Sequence, residues 1–441
     1  MRLRIIAAAG AFLCLATACS SAKNDSTTAT TSSSSSATSA TGGATSSAGA
    51  GKVTVGRFSF PGGAASGTPV KIGLIASESI EPTLLPGAQA AVKYVNQELG
   101  GIGGHPIELV ACDEKADPAA AAACSQQMIS SNVAGVIGYP IVWGAIGGAK
   151  AIGTAKIGYY GTADQVSITQ PNGYPLFGGS PQTSVVALAM SALKLASLNI
   201  MTLDNPLAVG GAKLLQASLE SHNIAVPSVV QYKLGAADLA TPVTQLLKGN
   251  PPAIYFIGDS ADLRRSLVIT TQAGYKGKIF VSSSSTSPGV AESIGNMKGV
   301  LADTGQLLLP QDTNDPEAVA FQTAMAKYDK ASDADNYAEV TFSQIVTLTA
   351  IGNKISGDIT GSNMLDAVKN AKSQPVFIGY QLDSANVPKV AGLDHLLDTY
   401  NRVVQYDGTK WNYVLGWSSA YVDGGSNSIG AGGKETITPP S

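Results

Sequence analysis

The sequence predicts an α/β fold of two lobes, each a mainly parallel sheet flanked by helices. Three observations carry this reading: short apolar runs alternate with helical patterns over short connections, glycine and alanine are abundant, and the chain is long. At 441 residues it exceeds the size at which a single hydrophobic core stops growing. Hydrophobic residues make up 44%, aromatics only 6%, and there are 49 glycines, a profile suited to close helix–sheet packing. The net charge is −3, with no lysine/arginine run or basic stripe, so no nucleic-acid partner is expected.

The order of elements follows from local pattern. Val70 to Ala76 reads as a buried parallel strand, followed by a loop from Ser77 to Pro86 and a helix from Gly87 to Leu99 that Gly100 and Gly101 stop. Ile107 to Ala111 is a second strand. Asp117 and Pro118 supply an N-cap and a first-turn proline for a helix through Met128. Val133 to Ile137, a loop from Tyr139 to Trp143, a helix through Ala151 and a strand from Lys156 to Tyr160 complete the first series. A second series comprises strands at Leu198–Leu203, Val229–Tyr232, Ala253–Gly258 and Lys278–Ser282. Its helices run from Gly211 to His222, up to Lys248, and from Ala261 to Ala273. Tyr174 to Pro181, rich in Gly and Pro, suits a crossing between the two. Helices are expected again at Pro316–Tyr328, Tyr337–Asn353 and Ser362–Ala371. Thr399–Tyr406 and Trp411–Val414 flank the hairpin signal Asp407-Gly408-Thr409.

The N-terminus points to export. Arg2 and Arg4 precede an apolar run from Ile5 to Ala18, too short for a bilayer span, so residues 1–18 read as a signal peptide. Leu15-Ala16-Thr17-Ala18-Cys19 resembles a bacterial lipobox, which implies lipidation of Cys19 and a place on the outer face of the cytoplasmic membrane. Ala16 departs from the usual leucine of that motif, and an ordinary signal peptide is the alternative. From Ser20 to about Ala50 the chain is nearly all Ser, Thr, Ala and Gly, a polar tether placed at residues 19–68 with folding expected from near Val70. Residues 424–441 read as a flexible tail. Cys112 and Cys124 form an isolated pair; in an exported chain such a pair is more often a disulfide than a metal or catalytic site, with two buried thiols as the alternative.

The ordered set Val70–Ala76, Gly87-Ala88-Gln89-Ala90-Ala91, Val95-Asn96, Gly100 to Val110 and Asp113 with Asp117-Pro118 resembles the branched-chain amino-acid-binding family of ABC-transporter solute receptors. Val136-Ile137-Gly138, Tyr255-Phe256-Ile257-Gly258, Gln272 to Tyr275 and Asp407 to Trp411 agree with it. The resemblance implies the type I periplasmic binding protein fold: two Rossmann-like lobes joined by a multi-strand hinge, closing on a small-molecule ligand. It places 69–179 and 312–375 in one lobe and 180–311 and 376–423 in the other. It further implies a monomer that hands its ligand to an ABC permease, with no cofactor. A sensing receptor signalling through a separate chain is the alternative.

The resemblance also directs attention to loops after strands. Candidate ligand-binding residues are Ser77, Glu78, Tyr139, Trp143, Thr162, Asp164, Asn205, Asp259 and Ser284. In relatives that bind α-amino acids, hydroxyls in the second and third loops hold the carboxylate. Here those places read Val142-Trp143 and Thr162-Ala163-Asp164, and Trp143 is either a ligand platform or a packed aromatic. The acidic residue that pairs with the ammonium after the strand matching Phe280-Val281 is replaced by Ser282 to Ser285. Asp164 and Asp259 either face the cleft, favouring a cation or a hydroxyl- or amide-rich ligand, or cap the helices that follow them. An enzyme is not expected: the histidines are only His105, His222 and His395, and there is no G-x-S-x-G, H-E-x-x-H or P-loop.

Overall fold

A computed structural model describes residues 51–140, 143, 146–164, 166–282, 297–304, 314–332, 334–388 and 392–421. The leader, Cys19, most of the 19–68 tether, Val142, Ser284 and the 424–441 tail lie outside the described residues. All described elements belong to one compact unit, Ala50–Ser441.

The folded chain begins earlier than the composition suggests. Strands β1 (Val53–Val55) and β2 (Phe58–Phe60) form an antiparallel hairpin. Phe58 and Phe60 are buried in the first core, with the Phe58 ring 5.5 Å from that of Phe377. Arg57, at the turn, donates from Nε to Glu317 at 2.8 Å and from Nη1 and Nη2 to the carbonyls of Tyr380, Val376 and Gly379. Ordered structure is thus present from β1 onward, well before Val70, because Val55, Phe58, Phe60 and Arg57 tie these residues to the first core.

The first sheet has the order β4-β3-β5, all parallel, built from β3 (Val70–Ala76), β4 (Ile107–Asp113) and β5 (Val136–Gly138). Helices α1 (Leu84–Gln97), α2 (Pro118–Ser130) and α3 (Gly148–Thr154) connect and cover these strands. Asp117 accepts from the amides of Ala119 and Ala120, so α2 starts where its cap and proline place it. Ile72, Leu74 and Ile137 face one core and Ile75 and Val136 another, the two-sided burial a parallel sheet requires. Lys156–Tyr160 is not a strand of its own: Tyr159 makes single bridges to Val136 and Gly173, after a positive φ at Lys156. Cys112, on β4, is disulfide-bonded to Cys124, on α2, with Cα atoms 5.5 Å apart.

The second sheet has seven strands in the order β14-β13-β10-β9-β8-β6-β7. Following α4 (Gly179–Gln182) and α5 (Val185–Ala192), strands β6 (Asn199–Leu203), β7 (Val229–Tyr232), β8 (Ala253–Ile257), β9 (Lys278–Val281) and β10 (Leu301–Thr304) run parallel. Helices α6 (Pro206–Ser221), α7 (Ala240–Leu246) and α8 (Ser260–Gln272) alternate with them. Met201, Ile254, Phe256 and Val281 face one core while Ile200, Tyr255, Phe280 and Leu301 face the other, which is the period of two along each strand.

The chain then returns to the first sheet through α9 (Pro316–Tyr328), α10 (Asn336–Gly352) and α11 (Gly361–Lys369). Helix α10 is buried nearly all round and lies against α1 so closely that a Cβ on Gly87 would run into the Ala338 backbone. The short hairpin of β11 (Gln374–Pro375) and β12 (Gln381–Leu382) also belongs here, since Val376, Phe377, Ile378, Leu382 and Leu397 are buried in the first core. The return to the second sheet thus comes at β13 (Asn401–Tyr406) and β14 (Trp411–Ser418), later than residue 376. Two crossings are tied together by side-chain amides: Gln182 Nε2 donates to Tyr400 O at 2.8 Å, and Asn401 Nδ2 donates to Gln182 O at 3.1 Å. No helix among the described residues is long and apolar enough to cross a membrane.

Candidate functional site

A cavity of about 380 Å³ lies between the two sheets. Ile80, Glu81, Tyr139 and Tyr337 line it from the side of the first sheet, and Asn205, Tyr255, Asp259 and Asp303 from the second. Thr162, Gly179 and Gln182, beside the crossing, close its floor. The volume suits a small metabolite, not a peptide.

Each wall is held by local chemistry. After β3 the chain turns at Ser77, whose carbonyl accepts from the amides of Ile80 and Glu81 at 2.9 Å. The Ser77 hydroxyl donates to Glu114 Oε1 at 2.7 Å, and Glu114 Oε2 accepts from the Trp143 amide at 2.9 Å. Thr83 Oγ1 donates to Asp335 Oδ1 at 2.6 Å, joining the start of α1 to the start of α10. These bonds bring Glu81 to the cavity wall beside Tyr139 and Tyr337, whose rings meet edge to face at 6.0 Å.

Four carboxylates, Glu81, Asp204, Asp259 and Asp303, line the cavity, with no lysine, arginine or histidine among the described lining residues. Glu81 is 3% exposed and its Oε2 has no hydrogen-bond partner. Burial, and then the charge of Glu114, pushes its carboxyl well above the usual carboxylate range. Asp303, also 3% exposed, accepts from Tyr255 Oη at 2.6 Å and from Asn401 Nδ2 at 3.4 Å. Its burial outweighs those hydrogen bonds and raises its pKa to about 6. Thr162 Oγ1, also buried at this wall, has no partner either.

Three helices begin at the cavity, and each begins with its third amide already taken. Asn205 Oδ1 accepts from Ala208, Asp259 Oδ1 from Asp262 and Asp335 Oδ1 from Ala338, at 2.8, 2.7 and 3.0 Å. Asp259 thus both caps its helix and lines the cavity.

Of the residues singled out in the sequence, Tyr139, Thr162, Asn205 and Asp259 come together at the cavity. Ser77 is buried on Glu114, and the Glu78 amide donates to Asp113 Oδ1 at 3.2 Å; neither lines the cavity. Trp143 is fully buried, with Nε1 donating to Ser125 Oγ at 2.7 Å and its ring 5.0 Å from Tyr159, so it is a core side chain and not a ligand platform. Asp164 Oδ1 accepts from the amides of Val166 and Ser167, just ahead of a short 3₁₀ turn at Ser167–Thr169, and Asp164 does not line the cavity. Glu81, Tyr255, Asp303 and Tyr337 were not anticipated as site residues. Glu81 sits three residues beyond Glu78 in a loop already expected to face the cleft, so its acidic side chain was the available signal.

Residues 69–408 match the family described as periplasmic binding protein. No curated protein matches the chain by sequence. Among solved structures, an extracellular ligand-binding receptor from Verminephrobacter eiseniae superimposes with a TM-score of 0.67 at 16% identity, covering 78% of this chain and 100% of its own. An ABC transporter substrate-binding protein from Sphaerobacter thermophilus gives 0.67 at 16% identity, over 81% and 99% of the two chains. A branched-chain amino acid transporter substrate-binding protein from Streptococcus pneumoniae, in complex with isoleucine, gives 0.62 at 18% identity over 79% and 99%.

Proposed function

The chain belongs to the periplasmic binding protein family, and from that premise we propose that it is an extracytoplasmic solute receptor of an ABC importer. It takes a small polar molecule into the cavity between its two α/β lobes, closes over it and delivers it unchanged to a membrane permease. The observation that carries this reading is the cavity of about 380 Å³ at the junction of the two sheets, with polar groups supplied by both. A ligand touching both walls stabilises the arrangement in which they are near each other, which is how binding becomes a change of shape. Two structurally similar proteins are described as transporter substrate-binding proteins, one of them of an ABC transporter, which supports the choice of partner. In this reading Cys19 carries the lipid that holds the receptor beside its permease; conversion of Cys19→Ala then moves the protein from the membrane to the soluble fraction.

The test is small-angle X-ray scattering on the full chain in detergent, with and without a polar small-molecule extract of the growth medium. A receptor that closes loses radius of gyration when the extract is added and regains it after dialysis. An unchanged scattering curve, together with no bound small molecule by mass spectrometry, refutes the reading.

A further inference from the structure

Accepting the receptor reading, the cavity's own chemistry narrows the class of ligand. Among the described residues its acid–base lining, tyrosines aside, is acidic throughout, and Glu81 keeps a buried carboxyl oxygen with no hydrogen-bond partner. Burial makes this carboxyl costly to ionise; a cation beside it lowers that cost more than a neutral donor does, and an anion raises it. The three helix N-termini have their third amides satisfied by Asn205, Asp259 and Asp335, two of these caps being themselves acidic. A bare metal ion fits poorly too: among the described residues no three His, Cys, Asp or Glu side chains are gathered to ligate one. Tyr139, Tyr337 and Tyr255 add ring surface, which suits an ammonium on an apolar stem.

We infer that the ligand is a protonated organic amine without a carboxylate beside its nitrogen, received by Glu81 from one lobe and Asp303 from the other. The cation sits between one acidic side chain from each lobe, so closure and charge neutralisation are one event. Thr162 Oγ1 offers the ligand a further hydrogen bond.

The experiment is isothermal titration calorimetry on the full chain in detergent with two matched sets: 2-phenylethylamine, phenylalanine and 2-phenylethanol; and 3-methylbutylamine, leucine and 3-methylbutanol. Within a set the amine is expected to bind about tenfold or more tightly than the amino acid and the alcohol. Glu81→Gln is expected to weaken the amine by about thirtyfold while the ligand-free variant melts no lower than the parent, since a neutral amide of the same shape replaces a carboxyl whose charged form burial disfavours. The inference is overturned if the amino acid or alcohol binds as tightly, if Glu81→Gln leaves the amine affinity unchanged, or if no amine binds. In those cases the scattering response to the extract decides separately whether the receptor reading survives.

Discussion

Replacing Asp303 with asparagine tests whether burial governs the cavity's acids. Asp303 is held between Tyr255 and Asn401 with its pKa raised from 3.8 to about 6. Between those values the folded protein keeps a proton that the unfolded chain has lost. The stability linked to that proton is therefore fully present below about pH 4 and lost as pH rises through 6. At ~1.4 kcal/mol per unit the loss is about 3 kcal/mol. Asp303→Asn stays neutral at every pH and keeps an oxygen for the Tyr255 hydroxyl, but gives up the long bond from Asn401, a loss of about 1 kcal/mol. The variant is thus expected to be about 2 kcal/mol more stable than the parent at pH 7.5, with the advantage gone near pH 4. Urea unfolding of the ligand-free protein, followed by tryptophan fluorescence at four pH values between 4 and 7.5, reads this difference. A gap independent of pH, or a variant less stable at pH 7.5, would refute the assignment of the raised pKa to burial.

Three further outcomes follow from other parts of the molecule. Glu317→Ala removes the acceptor of Arg57 and of the Ile378 amide and is expected to cost about 2–3 kcal/mol in urea unfolding. Arg57→Ala should cost less, because Arg57 is 43% exposed, and the double variant should cost little more than Glu317→Ala alone. Phe60→Ala, at a side chain 1% exposed, is expected to cost about 3–5 kcal/mol, and a chain begun at Pro69 should bind the dye ANS through the core face it uncovers. Replacing Cys112 and Cys124 by serine opens a loop with a sequence separation of 12 and should lower stability by about 3 kcal/mol, matched by adding a reductant to the parent.

Most of the fold was legible because its signals are local. Val70–Ala76, Val229–Tyr232 and Pro316–Tyr328 are apolar runs or capped helices whose limits sit in the sequence itself. Helix α6 was placed too late, although Asn205 and Pro206 spell its start, because Gly210 and Gly211 interrupt its pattern; both glycines are buried. Strand β10 went unseen since Leu-Ala-Asp-Thr is short and carries an acid, and only its parallel pairing with β9 and antiparallel pairing with β13 make it a strand. The hairpin at 53–60 was hidden for the same reason: its partners, Glu317 and Phe377, lie far along the chain. The site was less legible than the fold. Glu81 and Trp143 look like a solvated acid and a free aromatic in sequence, and only the docking of loops from several strands buries the one at the cavity and the other in the core. The family resemblance found the loops, but the choice of residue within each depended on tertiary burial.

The clasp between Arg57 and the residues around 317 and 376–380 also sets a timetable. Its bonds span sequence separations of 260 to 323, so the first hairpin has no partner until nearly the whole chain is available. Contacts of such range form late and slow the closing of the core. In a receptor that, as proposed, works outside the cytoplasm, the segment that emerges early is locked in place only by residues that emerge 260 or more positions later.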